Sequence, residues 1–441
     1  MKYTFKGGIH PNDGKKSTEN KPIVQLNAPE EMVFPMVQHI GAPCTPCVAV
    51  GDDVAVGQKI GDSDAFVSAP VHSSVSGKVK AIEPRRHPNG NMVQCVIIEN
   101  DGLNTVHPDI HPYTDADGLS VSDMIKLVRE AGIVGMGGAA FPTHIKLSPP
   151  EDKKIDLCIV NGAECEPYLT SDHRVMIETP EYVCKGITLI MKILGVNKAY
   201  IGIEENKPEA ISAMKACAKA YDGVEVKVLK TKYPQGSEKH LIKALTGREV
   251  PSGKLPADVG VVVNNIDTCT AVYNAIAFRR PLISRIVTVS GSGIKEPTNF
   301  RVPVGTPFQY VIDSAGGFND GVEKVIMGGP MMGVAQFDMS VPVVKGTSGI
   351  LAFTSKEITP KKNAPCIRCG KCVSNCPMNL MPLYINAYAQ MGDVDKCLEY
   401  NIMDCISCGI CTYTCQSEQL PSQNIKRIKD EIVKRSRKQV K

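Results

Sequence analysis

The stretch Cys366-Ile-Arg-Cys369-Gly-Lys-Cys372-Val-Ser-Asn-Cys376 decides the character of the C-terminal part of this 441-residue chain. Its C-x2-C-x2-C-x3-C spacing recurs in a second stretch, Cys405-Ile-Ser-Cys408-Gly-Ile-Cys411-Thr-Tyr-Thr-Cys415. Closely spaced thiolates in this pattern hold iron–sulfur cubes. Zinc sites and buried thiols are the alternatives, but zinc takes only four cysteines per ion, usually as widely separated pairs. The pattern therefore predicts an electron-transfer module with two [4Fe–4S] clusters.

The spacing resembles that of bacterial two-cluster ferredoxins, in which the fourth cysteine of each run crosses to the other cube. This resemblance implies one cluster on Cys366, Cys369, Cys372 and Cys415 and another on Cys405, Cys408, Cys411 and Cys376. Gly370 and Gly409 allow the backbone to approach a cube closely.

Length and composition indicate an ordinary globular protein of two to four domains, with 43% hydrophobic and 22% charged residues. The nine cysteines outside the two runs show no disulfide pattern of a secreted protein. The first residues lack the apolar core of a signal peptide, and no run of 18 apolar residues occurs. These features predict a cytoplasmic protein without a membrane span.

The net charge of +4 is unevenly distributed. Residues 426–441 carry eight Lys or Arg against two acidic residues, which gives +6 and leaves about −2 for the rest of the chain. No basic face typical of nucleic-acid binding is indicated. The basic end is predicted to contact an anionic membrane surface or an acidic partner, or to be a solvated helix.

Residues 1–115 are rich in short apolar runs separated by turn residues, which predicts a β-rich domain. Segments 50–60 and 69–79 resemble the barrel-sandwich of biotinyl and lipoyl carrier domains. The hairpin that would carry the modified lysine reads Asp62-Ser63-Asp64-Ala65-Phe66, so no carrier arm can be attached and the domain is expected to be structural or partner-facing. For Cys44 and Cys47, we expect two buried small residues around a proline turn, with redox or metal use as the alternative.

Residues 116–283 alternate between helical and strand patterns, which predicts a largely parallel sheet with helices on both faces. The predicted strands are 155–160, 199–203, 224–229 and 259–263, and the predicted helices between and after them are 181–194, 208–221, 237–245 and 268–278. Ligands of such sheets bind beyond the carboxyl ends of the strands.

Three polar clusters are predicted at such positions. The first is the glycine-rich run 135–146, which follows a helix predicted over 121–128 with Ser120 or Ser122 as its cap. Its G-x-G-x-x-A pattern is a weak dinucleotide fingerprint because a strand should precede the glycines. The second is Asn161-Gly-Ala-Glu164-Cys-Glu166, and the third combines 233–239 with 264–268. Helix N-termini there favour anions, although capping alone also explains part of the pattern.

Together these clusters resemble the flavin and NADH site of the flavoprotein subunit of respiratory complex I. The chain is more similar to the C-subunit family of the Rnf ion-translocating ferredoxin:NAD+ oxidoreductases, over essentially its full length. The runs at 6–11, 70–77 and 328–333 and the paired cysteine motif carry that similarity. Residues 284–355 resemble a β-grasp ligand-binding module, expected to form a wall between flavin and clusters.

The resemblance implies a set of site residues. Non-covalent FMN is expected to contact Gly135, Gly137, Gly138, Lys146, Asn161, Glu164, Tyr233, Gly236, Asn264, Asn265 and Thr268. Nicotinamide-nucleotide contacts are expected at Phe141, Glu166 and Glu238, and we predict that these carry the catalysis. Ser237 stands where the complex I relatives have a second Glu, so the NADH pocket is expected to be less acidic.

The predicted architecture is multidomain α/β: a barrel-sandwich over 1–115, an FMN/NAD(H)-binding domain over 116–283, a β-grasp module over 284–355 and a helical two-cluster ferredoxin domain over 356–441. A flavin joins nicotinamide, a two-electron carrier, to one-electron cubes. The resemblance implies a peripheral subunit on the cytoplasmic side of the membrane, with membrane and ferredoxin-type subunits as partners. The alternatives are a soluble cobalamin or amino-acid reductase donor, and an electron relay without nucleotide chemistry.

Overall fold

A computed structural model of the chain describes residues 3–113, 118–358 and 363–439. The boundary predicted at 115–116 falls outside these ranges, and the side chains of the last six residues of the basic end are not described either. Within the described ranges, no helix is long and apolar enough to cross a bilayer.

The N-terminal part folds into two small sheets packed around an apolar core, as the barrel-sandwich prediction requires. Its strands are β2 (Glu31–Pro35), β3 (Thr45–Pro46), β4 (Asp53–Val54), β5 (Lys59–Asp62), β6 (Val71–His72), β7 (Gly77–Arg86) and β8 (Met92–Asn100). One sheet has the order β2-β8-β7-β4 and the other β3-β5-β6. Phe34, Ile60 and Ile98 are fully buried between them.

The expectation for the Cys44–Cys47 pair is only half correct. Cys44 is buried, and its thiol donates to the Ala69 carbonyl at 3.3 Å. Cys47 is exposed, because it follows the two-residue strand β3 at the rim of the small sheet. Burial raises the pKa of both thiols, which argues against a reactive thiolate pair.

The central part is a four-stranded parallel sheet of order β11-β10-β9-β12, as predicted. Its elements are α1 (Val121–Glu130), α2 (Thr143–Lys146), β9 (Leu157–Gly162), α3 (Ser171–Glu178), α4 (Pro180–Leu194), β10 (Ala199–Glu204), α5 (Pro208–Ala218), β11 (Val224–Leu229), α6 (Glu238–Thr246), β12 (Val261–Asn265) and α7 (Ile266–Phe278). Helix α6 packs on one face, and α1, α3, α4, α5 and α7 form the core on the other. The two short helices α2 and α3 were not predicted.

Capping and small residues set the helix positions near the site. Ser120 accepts a hydrogen bond from the Asp123 amide at 3.1 Å and starts α1. Asn265 likewise caps α7, accepting from the Asp267 amide at 2.8 Å. Helices α4 and α7 approach closely at Gly186, where an added Cβ would lie 1.9 Å from the Cys269 carbonyl oxygen. The absence of a side chain at Gly186 therefore permits this helix crossing.

The third part is a mixed six-stranded sheet with one helix packed against it, which fits the β-grasp prediction. Its elements are β13 (Ser284–Ser290), β14 (Thr298–Pro303), α8 (Phe308–Ser314), β15 (Val322–Met327), β16 (Val334–Gln336) and β17 (Gly349–Thr354). The order is β1-β14-β13-β17-β15-β16, where β1 (Ile23–Gln25) comes from the N-terminal segment and pairs in parallel with β14. This strand ties the N-terminal segment to the third sheet, and the three predicted domain boundaries themselves stay a prediction.

The C-terminal part is helical. It contains α9 (Lys371–Ser374), α10 (Pro382–Met391), α11 (Val394–Glu399), α12 (Ile410–Tyr413) and α13 (Pro421–Gln439). Helices α9 and α12 each begin directly after a glycine in the left-handed conformation, Gly370 and Gly409. The two cysteine runs thus adopt the same turn twice, as their repeated sequence predicts.

Candidate functional site: a flavin-sized cavity beside a cysteine-rich loop

A cavity of about 790 Å³ lies at the carboxyl ends of β9 and β12, where the parallel sheet predicts a ligand. The three predicted polar clusters meet there. The predicted site residues that line it are Gly135, Gly137, Gly138, Phe141, Lys146, Asn161, Glu164, Glu166, Tyr233, Gly236, Glu238, Asn264 and Asn265. Thr268 is buried behind the wall, where its hydroxyl accepts from the Met136 amide at 2.9 Å. It therefore supports the glycine-rich run from below.

The glycine-rich run leaves one side of the cavity free of side chains. A Cβ at Gly138 would meet no atom within 4 Å, so the backbone itself faces open space there. Gly137 has φ +75°, and a Cβ on it would come within 2.9 Å of the Asn265 Nδ2. A flat ring can approach such a backbone closely.

The acidic loop after β9 is held by a buried lysine. Lys15 is only 4% exposed, and its ammonium donates to the carbonyl oxygens of Glu164 (3.0 Å), Glu166 (2.9 Å) and Leu169. The Glu164 carboxylate accepts from the amides of Asp172 (2.7 Å) and His173 (3.2 Å) and so caps α3. Burial raises the pKa of Glu164, while Lys15 opposes the rise.

Glu166 reaches from this loop toward the third module. Its Oε2 accepts from the Met331 amide at 3.1 Å, and the Tyr233 hydroxyl lies 3.4 Å from its Oε1. Burial raises the pKa of Glu166 to about 7. Gly329 must lack a side chain because a Cβ there would lie 2.1 Å from the Glu166 carboxylate. The run 328–333 therefore forms a wall of the cavity, as expected.

Lys146 and Glu238 form an ion pair in the cavity wall. The Lys146 ammonium lies 2.8 Å from Glu238 Oε1 and donates to the Val263 carbonyl at 2.6 Å. Both side chains remain partly exposed, at 32% and 39%. The pair is thus available to a ligand rather than sealed in the core.

The floor of the cavity fits a polar ligand such as a flavin nucleotide. Asn264 is only 4% exposed, and within the described residues its Nδ2 has no nitrogen or oxygen partner, although the Cys158 thiol lies beside it. Asn161 is engaged differently, since its Nδ2 donates to the Gly236 carbonyl at 2.7 Å and holds the turn before α6. The N-termini of α6 and α7 both begin at this floor, and helix N-termini favour phosphate groups.

One cysteine loop forms part of the same cavity. Tyr233 is 1% exposed, and its hydroxyl donates to the Cys408 carbonyl at 2.8 Å. Ile406 lines the cavity, and Gly409 packs against the Met331 carbonyl. The loop 405–411 is therefore the inner loop, in contact with the cavity.

Among the eight cysteines, the thiols that influence one another's pKa are those that the crossed ferredoxin pattern groups together. Burial raises the pKa of the Cys372 thiol, and Cys366, Cys369 and Cys415 are the neighbouring thiols that add to the rise. Burial likewise raises the pKa of Cys411, with added contributions from Cys405, Cys408 and Cys376. At equivalent positions of the two runs, the Arg368 amide donates to the Cys366 sulfur and the Ser407 amide donates to the Cys405 sulfur, both at 3.4 Å. By their chemistry, eight thiolate donors in these two runs suit two cubes, and the ligand assignment stays a prediction.

Several lining residues were missed by the sequence reasoning. Arg285 lies in the apolar strand β13 and forms an ion pair with Asp267. A single charged residue within a buried strand is the sequence signal that could have identified it as a site residue. Asp172 accepts from Asn265 Nδ2 at 2.6 Å, and burial together with Glu164 raises its pKa to about 8. For Lys15 and Lys426, no local pattern distinguishes the side chain from a surface lysine.

Family profiles match four successive regions of the chain: the RnfC barrel sandwich hybrid domain (residues 3–103), the Nuo51 FMN-binding domain (128–274), the SLBB domain (286–335) and the 4Fe-4S dicluster domain (365–419). The fold, the cavity and these matches define an electron-transfer flavoprotein with an FMN site and two [4Fe–4S] clusters.

Curated relatives indicate which family of electron-transfer flavoproteins the chain belongs to. The C subunit of the proton-translocating ferredoxin:NAD(+) oxidoreductase complex of Clostridium ljungdahlii is 51% identical, over 92% of this chain and 88% of the relative. The C subunit of the Na(+)-translocating complex of Acetobacterium woodii is 50% identical, over 99% and 98%. The chain belongs to the C-subunit family of ion-translocating ferredoxin:NAD(+) oxidoreductase complexes.

A solved structure supports the fold alone. An NAD+-reducing [NiFe]-hydrogenase in the H2-reduced state superposes with a TM-score of 0.51 at 19% identity, covering 72% of this chain and 61% of that chain.

Proposed function

We propose that this chain is the NAD(H)-reacting, peripheral subunit of an ion-translocating ferredoxin:NAD+ oxidoreductase, on the cytoplasmic side of the membrane. Its partners would be the other subunits of such a complex, including membrane and ferredoxin-type subunits. The proposal is supported most by one contact. Tyr233 lines the cavity and donates at 2.8 Å to the backbone of Cys408, so the nucleotide cavity and one cysteine loop share a wall.

The residues of the cavity are suited to hold FMN and a nicotinamide nucleotide. When bound, FMN exchanges two electrons with a hydride carrier and single electrons with an iron–sulfur cube. The glycine-rich backbone leaves room for a flat ring, and Asn264 offers an amide donor that has no nitrogen or oxygen partner among the described residues. Phe141, Glu166 and Glu238 border the remaining space, where the nicotinamide nucleotide is proposed to bind.

The two cysteine groups differ in exposure, and this difference suggests their roles. Cys408 is 8% exposed beside the cavity, whereas Cys366 and Cys369 are exposed. We assign the inner loop to exchange with the flavin site and the outer loop, around Cys366 and Cys369, to exchange with a partner protein.

The test uses purified protein reconstituted with iron, sulfide and FMN without oxygen. Flavin absorbance and NADH:ferricyanide reductase activity are expected together. Glu166→Ala and Lys146→Ala should each lower activity, whereas Glu209→Ala, an exposed change on α5 outside the cavity, should not. If both cavity variants keep full activity and flavin, the site assignment is wrong.

Association with membrane subunits separates this proposal from a soluble reductase. Co-purification of the tagged chain with integral-membrane partners, and its release from membranes by high salt, are expected for a peripheral subunit. A chain recovered only free of such partners, with cobalamin or an amino-acid reductase as acceptor, would contradict the assignment. Clusters without FMN binding would instead indicate a simple electron relay.

A further inference from the structure

The basic C-terminal helix contributes a side chain to the nucleotide cavity. Lys426 lies on α13 and lines the cavity together with Ile406 of the inner loop. The helix is fixed there because Ile425 and Ile428 are buried, at 2% and 0% exposure. Lys429, one turn further on, donates to the Cys405 carbonyl. The position of Lys426 at the cavity rim is therefore set by the fold rather than by a loose tail.

Among the described residues that line the cavity, Lys426 is the cation without an ion-pair partner. The other two lining cations are paired, Lys146 with Glu238 and Arg285 with Asp267. The side chain of Lys426 is exposed, and in the part of the chain that the structure describes it has no carboxylate partner. Four carboxylates also line the cavity, namely Glu164, Glu166, Asp172 and Glu238. The Lys426 ammonium at the rim is therefore the positive charge that can pair with an anionic ligand in this acidic cavity.

The two nucleotides proposed to share the cavity need separate anion sites. The floor, with Asn264 and the N-termini of α6 and α7, suits the single phosphate of the flavin nucleotide. A dinucleotide that stacks over the flavin brings a second anionic group, its diphosphate, which needs a positive partner of its own. We infer that Lys426 forms an anion subsite for the diphosphate of the nicotinamide dinucleotide. This inference rests on the proposed function, and it makes the ferredoxin domain part of the nucleotide site.

Lys426→Met in the cluster- and FMN-loaded protein tests the subsite. The KM for NADH and the Kd of ADP-ribose, measured by titration calorimetry, should each rise about 5- to 20-fold, the size expected for a charge-assisted hydrogen bond at a partly exposed site. The value of kcat should change little, because the contact is made in both ground and transition states. The matched control is Lys434→Met, an equal charge change at an exposed position of the same helix outside the cavity, and it should leave both constants unchanged.

A hydride donor without phosphates separates recognition from structure. With 1-benzyl-1,4-dihydronicotinamide, Lys426→Met and wild type should react at equal rates. A slower reaction with this donor, or loss of FMN from the variant, would assign Lys426 to structure or to the flavin and overturn the inference. Unchanged binding of ADP-ribose, or none by the wild type, would also overturn it. Wild-type protein that binds ADP-ribose through Lys426 yet never oxidises NADH would support the subsite and contradict the proposed function.

Discussion

Replacement of Asn264 by leucine should have opposite effects on flavin binding and on the stability of the flavin-free protein. Asn264 is 4% exposed at the end of β12, and its Nδ2 lacks a nitrogen or oxygen partner among the described residues. A buried, unpaired amide costs about 1–3 kcal/mol. Leucine has nearly the same shape and no polar group, so it removes that cost when no ligand is bound.

The expected change in FMN affinity follows from the same side-chain amide of Asn264. If the Asn264 amide donates to FMN, its loss weakens binding by about 1–3 kcal/mol, which raises the Kd for FMN about 5- to 150-fold. The free energy of unfolding of the flavin-free variant should be unchanged or up to about 2 kcal/mol higher. Quenching of flavin fluorescence measures the Kd with deflavinated protein, and urea unfolding measures the stability.

Asn274 offers a matched control for this experiment. Its Oδ1 is also buried without a partner in the described structure, but it lies on α7 outside the cavity. Asn274→Leu should therefore change stability without changing the Kd for FMN. An unaltered FMN affinity in Asn264→Leu, or an equal loss in both variants, would refute the reasoning.

Three further predictions concern the clusters, the acidic loop and the helix packing. Cys376→Ala should lower the iron content from about eight to about four per chain. The lost cluster should be the one held by Cys405, Cys408 and Cys411, and cluster EPR would show which signal disappears. Loss of the signal from the cluster of Cys366, Cys369 and Cys372 would contradict the crossed grouping. Burial raises the pKa of Glu166 from 4.5 to about 7, so its contribution to stability is complete below pH 4.5 and is lost as the pH rises through about 7. Glu166→Gln should accordingly flatten the fall in Tm between about pH 4.5 and 7, and an unaltered slope would count against the shifted pKa. Gly186→Ala should lower the free energy of unfolding in urea by about 3 kcal/mol, because the added Cβ would lie 1.9 Å from the Cys269 carbonyl oxygen. If the variant unfolds at the same urea concentration as wild type, α4 and α7 can separate without a large cost.

Local sequence patterns predicted the β-rich first unit, the helices and strands of the central unit and the two-cluster cysteine module, whereas the resemblance supplied the β-grasp module. Strong patterns carried this: the repeated cysteine spacing, the alternation of helices and β-branched strands, and the turn residues of the first 115 residues. The resemblance, rather than periodicity, supplied the individual site residues. Thirteen of the fourteen predicted flavin and nucleotide contacts line the cavity, and Thr268 supports it from behind.

The sequence by itself determined the chemistry of this chain, because ligand type and spacing depend on residues close together along the backbone. Only the tertiary structure decided which cysteine loop meets the cavity, how Lys15 holds the acidic loop, and that Lys426 reaches the cavity rim. The hydrogen bonds of Tyr233 and Lys15 join residues that are more than 100 positions apart, and the cavity that Lys426 lines is formed mainly by residues between 135 and 348. Such pairings arise from the packing of whole elements against one another, which no local pattern encodes.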